Sequence, residues 1–117
     1  MAQHTKNQTL PRAQTRYEYT QLSAHYYDSS GTKITGTPIW MKTAEKTCMN
    51  SASTGNACSG SDEVVTRYEY DNDNLLMTGT TVTDPVSGAT LRTCFQYDIY
   101  GNQIGKTQPK TGLTQCN

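Results

Sequence analysis

The stretch Thr66-Arg67-Tyr68-Glu69-Tyr70-Asp71-Asn72-Asp73-Asn74 decides the fold, because it returns 27 residues later as Thr93-Cys94-Phe95-Gln96-Tyr97-Asp98-Ile99-Tyr100-Gly101. Within each copy, rings or aliphatics alternate with polar residues, the period of a half-wet strand. The alternation stops at Tyr-Asp. The Asp is expected to accept backbone N–H groups across a turn. Three residues beyond it sit Asn74 and Gly101, the residue types that take a left-handed backbone most readily. The offset continues without a gap, Met77 against Ile104 and Thr80 against Thr107. The unit is strand, Tyr-Asp, two residues, Gly or Asn, strand. One such hairpin cannot bury its own face, so units of this kind stack or extend one sheet.

The same parts occur earlier. Thr15-Arg16-Tyr17-Glu18-Tyr19 repeats Thr66 to Tyr70, and Tyr27-Asp28-x-x-Gly31-x-x-Ile34 repeats Tyr97-Asp98-x-x-Gly101-x-x-Ile104. Working outward, alternation predicts a strand from Thr15 to Tyr27, with Tyr17 and Tyr19 on one face. A turn at Asp28–Gly31 follows, then a return strand from about Thr32 through Trp40 to Thr47. Pro38 has no N–H, so it should mark a bulge, a break or an edge. Residues 48–62 read as a Ser/Gly-rich loop. Further strands are expected over Glu63–Tyr70, Leu75–Thr83, Ala89–Tyr97 and Asn102 to about Gln108, with a turn at Asp84–Gly88. A last turn is expected at Pro109–Gly112. Trp40–Lys46 is the only helix candidate, and it has no cap. The expected fold is all-β, an antiparallel sheet of consecutive hairpins with little or no helix. Residues 1–14 form a polar arm, flexible or pairing elsewhere. Residues 15–108 form the sheet, and 109–117 a turn and tail.

Composition supports a thin sheet. Of 117 residues, only 15 are Leu, Ile, Val or Phe, below the roughly 20% under which an ordinary aliphatic core becomes doubtful. Eight Tyr and 20 Thr stand in their place. Both suit a pleated surface with one wet face. Such a sheet is marginal alone and calls for cross-links, oligomerisation or a larger parent. Ten basic and 10 acidic residues give a net charge of zero, which argues against nucleic-acid binding by phosphate neutralisation. No apolar run exceeds three residues, too short for a membrane-spanning helix. The polar start does not read as a secretory signal, so an export signal is expected outside this chain or of another kind.

Cys48, Cys58, Cys94 and Cys116 form no C-x-x-C pair, and only His4 and His25 are available beside them. That is a poor zinc set. Two disulfides and an oxidising compartment are the favoured reading. Of three connectivities, Cys48–Cys58 with Cys94–Cys116 is preferred because each closes a local loop. Four reduced thiols in a cytosolic chain are the competing reading. Cys94 has no activating neighbour that would make it a nucleophile.

Catalytic signals are weak. Asp71-Asn72-Asp73-Asn74 starts like an EF-hand loop, but Leu76 and Val82 stand where Gly and Glu are needed. Asp98 reads as a turn cap. His25 has no Ser or Cys motif with it, and neither a nucleophile elbow nor a phosphate loop exists. No catalytic, cofactor or metal residue is assigned, and an enzyme is not expected. Tyr17, Tyr19, Trp40 and Tyr68 could instead form a flat platform for sugars, although rings at these positions also substitute for aliphatics.

The units Tyr27-Asp28-Ser29-Ser30-Gly31, Tyr70-Asp71-Asn72-Asp73-Asn74 and Tyr97-Asp98-Ile99-Tyr100-Gly101-Asn102 resemble the YD repeat of the bacterial Rhs (rearrangement hotspot) family. The resemblance covers roughly residues 15–108. It departs from the pattern at Asn74, where Gly is usual, and in the Pro-interrupted strand after Gly31. In that family many repeats coil into one long sheet, a hollow shell that encloses a C-terminal toxin. The resemblance therefore implies a non-enzymatic wall segment of a secreted or cell-surface protein. Its partners would be other repeats, with self-association through open edges and carbohydrate binding as further expectations. The motif that ends such shells is not visible, and so short a segment covers only a small arc.

Overall fold

The computed structural model describes residues 14–48, 58 and 62–116. Residues 1–13, most of the expected arm, and most of the 48–62 loop lie outside the described residues. Among these residues alternation and turn chemistry produce nine strands: β1 (Gln14–Leu22), β2 (His25–Tyr27), β3 (Lys33–Thr35), β4 (Ile39–Cys48), β5 (Glu63–Tyr70), β6 (Met77–Thr83), β7 (Thr90–Tyr97), β8 (Gln103–Lys106) and β9 (Lys110–Thr111). No helix occurs among the described residues. The main sheet is antiparallel in the order β1-β4-β5-β6-β7-β8, with β9 also on β7, while β2 and β3 pair only with each other.

Three boundaries differ from the sequence reading. The expected strand from Thr15 to Tyr27 is split, because the chain leaves the main sheet after Leu22 and begins a separate ribbon at His25. Pro38 lies between β3 and β4, where its missing N–H breaks the return strand. At the C-terminal end, the turn expected over Pro109–Gly112 contains β9, which pairs Lys110 with Arg92 and Thr111 with Leu91. β8 and β9 are two halves of one return strand along β7, interrupted around Pro109.

The turns come in two lengths. Asp28 N–H donates to Thr32 (3.0 Å) and Asp98 N–H to Asn102 (2.9 Å), closing three-residue loops that end on Gly31 and Gly101, with φ of 85° and 86°. Asp71 N–H donates to Leu76 (2.8 Å) and Asp84 N–H to Ala89 (2.9 Å), closing four-residue loops that end on Leu75 (φ 60°) and Gly88 (φ 73°). The left-handed residue of the middle repeat is thus Leu75, not Asn74. Asn74 instead accepts the Leu76 N–H on its side chain at 2.9 Å. The extra residue shifts the repeat after the turn. Met77 corresponds to Gln103 and Gly79 to Gly105, an offset of 26 in place of 27.

The main sheet is a single layer. The radius of gyration of the chain is 18.9 Å, against about 13 Å for a compact chain of this length. Register assigns the two faces. Tyr17, Glu45, Thr66, Tyr68, Thr80 and Phe95 share one, and Arg16, Ala44, Arg67, Thr81 and Arg92 share the other. On the second face Arg16 pairs with Glu63, Lys46 with Glu18 at 2.7 Å, and Arg92 with Glu69 at 2.6 Å. Part-exposed ion pairs of this kind are worth at most about 1 kcal/mol each. Among the described residues the buried apolar ones are Ala44, Cys48 and Cys94. Two of those three are bridge cysteines, in Cys48–Cys58 and Cys94–Cys116. The cross-links occupy the place of a core.

Candidate functional site: the joints between hairpins

Three hairpins in the main sheet share one construction. Their first strands carry Tyr17-Glu18-Tyr19 (β1), Tyr68-Glu69-Tyr70 (β5) and Phe95-Gln96-Tyr97 (β7). Opposite the middle residue stands a small one: Ala44, Gly79 or Gly105. The register then slips by one residue, leaving Thr43, Thr78 or Ile104 extra, so that each Tyr faces Lys42, Met77 or Gln103. At the two glycines the facing Glu69 or Gln96 side chain lies over the small residue. A Cβ on Gly79 would stand 2.8 Å from Glu69 Oε1 and 2.8 Å from Cys116 Sγ; one on Gly105 would stand 2.7 Å from Gln96 Oε1. The extra residue is a β-bulge, which kinks and twists the strand.

The joint between hairpins follows from that kink. β4 and β5 pair from Cys48–Glu63 as far as Ala44–Arg67, and β6 and β7 from Thr83–Thr90 as far as Gly79–Cys94. Past the small residue the strands separate, and a tyrosine hydroxyl spans the opening. Tyr70 Oη donates to the Lys42 carbonyl at 2.6 Å, and Tyr97 Oη to the Met77 carbonyl at 2.7 Å. Each tyrosine thereby fastens its own hairpin to the bulge of the preceding one. Burial pushes the Tyr70 phenol above its ordinary pKa. A groove of about 430 Å³ lies at the first joint, lined by Thr43, Tyr68, Tyr70, Leu75 and His25 among others. A second, of about 350 Å³, lies at the equivalent place beside Thr78, Phe95 and Tyr97.

Tyr27, Tyr70 and Tyr97 end β2, β5 and β7. The aspartates that follow cap the turns. Asp28 Oδ1 accepts from Ser30 Oγ and from the N–H of Ser30 and Thr32, and Asp98 Oδ1 accepts from the N–H of Tyr100 and Asn102. Asp71 Oδ1 accepts from the N–H of Asp73 and Asn74. These bonds hold all three carboxyls below the usual range: the Ser30 hydroxyl leads for Asp28, the Asn74 N–H for Asp71 and the Asn102 N–H for Asp98. The ribbon of β2 and β3 is fixed to the Asp71 turn. His25 N–H donates to the Asp73 carbonyl at 2.7 Å, its Nδ1 to the Asn72 carbonyl at 2.8 Å, and Lys33 reaches Asp73 at 3.5 Å. His25 is therefore an anchoring side chain here.

Tyr17, Tyr19, Trp40 and Tyr68 stand on one face of the sheet by register. Lys42 Nζ lies 5.4 Å from the Tyr17 ring centre and 4.9 Å from that of Tyr68, and bonds Glu45 at 2.6 Å. Tyr68 Oη also donates to Glu45 at 2.6 Å. Tyr17 and Tyr68 are thus engaged by their own Lys42, whereas Trp40 (67% exposed) and Tyr19 (55%) are open. All four cysteines are bridged. No group of three metal-binding side chains and no helix long and apolar enough to cross a membrane occurs among the described residues. The bulges, the small residues and the tyrosine–carbonyl bonds had no separate place in the sequence reading. The signal available for them was the recurring aromatic–Glu/Gln–Tyr triplet with an Ala or Gly in the strand that returns beside it, at a spacing that differs from hairpin to hairpin. Comparison with protein-family models, curated proteins and solved structures finds no match for this chain.

Proposed function

We propose that this chain is a non-enzymatic wall segment of a YD-repeat protein of the Rhs kind, part of a shell that encloses or carries a secreted bacterial toxin. The observation that carries the reading is the joint, made twice from matching parts: small residue, bulge, and a tyrosine hydroxyl on the carbonyl before the bulge. A repeated joint that adds hairpins to one layer is a device for extending a surface. The Tyr-Asp turns supply the reversals between outgoing and returning strands. Two disulfides suit an oxidising setting outside the cytosol. The test is limited proteolysis of the natural protein that carries this segment, intact and with the hairpin from Glu63 to Thr83 excised. Cargo protected in the intact protein and cut in the excised one supports the reading. Equal protection in both, or a reading frame with no further Tyr-Asp units, overturns it.

A second reading, a sugar-binding β module, has one observation in its favour: the open rings of Trp40 and Tyr19 on one face. Its test is Trp40 fluorescence titrated with bacterial and host glycans. A saturable shift, with binding measured by calorimetry that is lost in Trp40→Ala, would support it.

A further inference from the structure

Three hairpins make two joints, and each outer edge of the sheet carries the unmatched half of a third. On β1, Tyr19 holds the place that Tyr70 and Tyr97 hold in their hairpins. Its ring is 55% exposed, and its hydroxyl meets no partner among the described residues. On β8, Gln103 holds the place of Lys42 and Met77, the residues whose carbonyls take the tyrosine hydroxyls. It is followed by the bulge residue Ile104 and by Gly105, the small residue of its hairpin.

We infer that β1 of a second copy of this chain docks antiparallel on β8, so that copies join head to tail through a third joint. The internal joints fix its register. In both, the small residue faces the residue three before the tyrosine, Ala44 opposite Arg67 and Gly79 opposite Cys94. By the same rule Gly105 faces Arg16 of the second copy, and Tyr19 of that copy donates to the Gln103 carbonyl. The strand directions agree, because successive strands of the main sheet alternate and β8 runs opposite to β1. The occupant is a copy of this chain, since the triplet that fits a β8-type edge is the one its own β1 displays. Unpaired edges template such additions. Because the two edges differ, the contact is heterologous and does not close on itself.

The inference rests on the wall-segment reading, and its experiment is separate. Sedimentation velocity of the disulfide-intact chain, from micromolar to near-millimolar concentration, should show a weight-average mass that climbs past twice 12.9 kDa without a plateau. Tyr19→Phe removes one hydroxyl and should weaken association about fivefold. Tyr26→Phe, an equally exposed ring on the ribbon, should leave it unchanged. Circular dichroism checks that both variants keep the sheet. A monomer at every concentration, a plateau at the dimer, or a Tyr19→Phe variant that associates like the parent overturns the inference. A monomeric chain alongside a protected cargo in the proteolysis test overturns the inference alone. Head-to-tail association with no cargo and no further Tyr-Asp units overturns the shell reading alone.

Discussion

Replacing Cys94 and Cys116 together by alanine removes the bridge that closes the longer loop, with a sequence separation of 22. Loop-closure entropy for that span is about 3.4 kcal/mol at room temperature, and the bridge of separation 10, Cys48–Cys58, is worth about 2.7 kcal/mol on the same scale. In a protein with a large core such losses are absorbed. Here the buried apolar side chain left among the described residues is Ala44, apart from the cysteines themselves. Since whole domains hold together by roughly 5–15 kcal/mol, losing both bridges should leave no cooperative fold. Losing Cys94–Cys116 alone should lower the urea midpoint by roughly 2 M, taking a slope of about 1.5 kcal/mol per molar. The assay is urea unfolding followed by far-ultraviolet circular dichroism, for the parent, each double alanine variant and the reduced parent. If the Cys94/Cys116 double variant unfolds within about 0.5 kcal/mol of the parent, the bridges do not replace a core and the reasoning fails.

Tyr70→Phe and Tyr97→Phe should each cost about 1 kcal/mol, the net worth of a hydrogen bond, measured as a fall of roughly 4–6 °C in the melting midpoint. The glycines of matched position should part ways. Gly79→Ala meets a backbone carbonyl (Thr93 O, 3.1 Å) and the Cys116 sulfur, so it should cost about 1–3 kcal/mol. Gly105→Ala meets only the movable end of Gln96 and should cost less than about 1 kcal/mol by the same melting assay. Asp28, Asp71, Asp84 and Asp98 all have folded pKa values below the ordinary one. Their contribution is complete above the unfolded carboxyl value near 4 and is lost as pH falls through the folded values. Stability should therefore hold from pH 7 to about 5 and decline below about 4, and Asp98→Asn should flatten that decline in pH-dependent urea titrations.

Much of the architecture was readable because it rests on local chemistry. Alternation placed the strands, Asp at turn starts placed the reversals, and Pro38 and Pro109 coincide with the two broken return strands. The two bridges are the local pairings, and Cys116 comes back to Cys94 because β8 and β9 return along β7. What could not be read depends on two strands at once. A bulge at Thr43, Thr78 or Ile104 is a mismatch between partners, invisible in either partner alone. The acceptors of Tyr70 and Tyr97 are backbone carbonyls, which carry no residue identity. Leu75 adopts a left-handed backbone because its loop is one residue longer than its counterpart at Gly101, a difference that a gapless alignment conceals. The ribbon of β2 and β3 leaves the sheet after Leu22, although alternation continues through Ser23 and Ala24 without a breaker.

The extra residue in each hairpin also acts as a phase corrector. Lys42 and Glu45 are three apart, yet both reach the tyrosine side, because Thr43 between them uses up one step of the alternation. Removing Thr43 would leave a regular strand with Trp40 and Lys42 still on the tyrosine side, and would take away only the kink. A one-residue deletion elsewhere in such a strand would turn the residues beyond it to the opposite face; at these three places it would keep every face and cost only the bend.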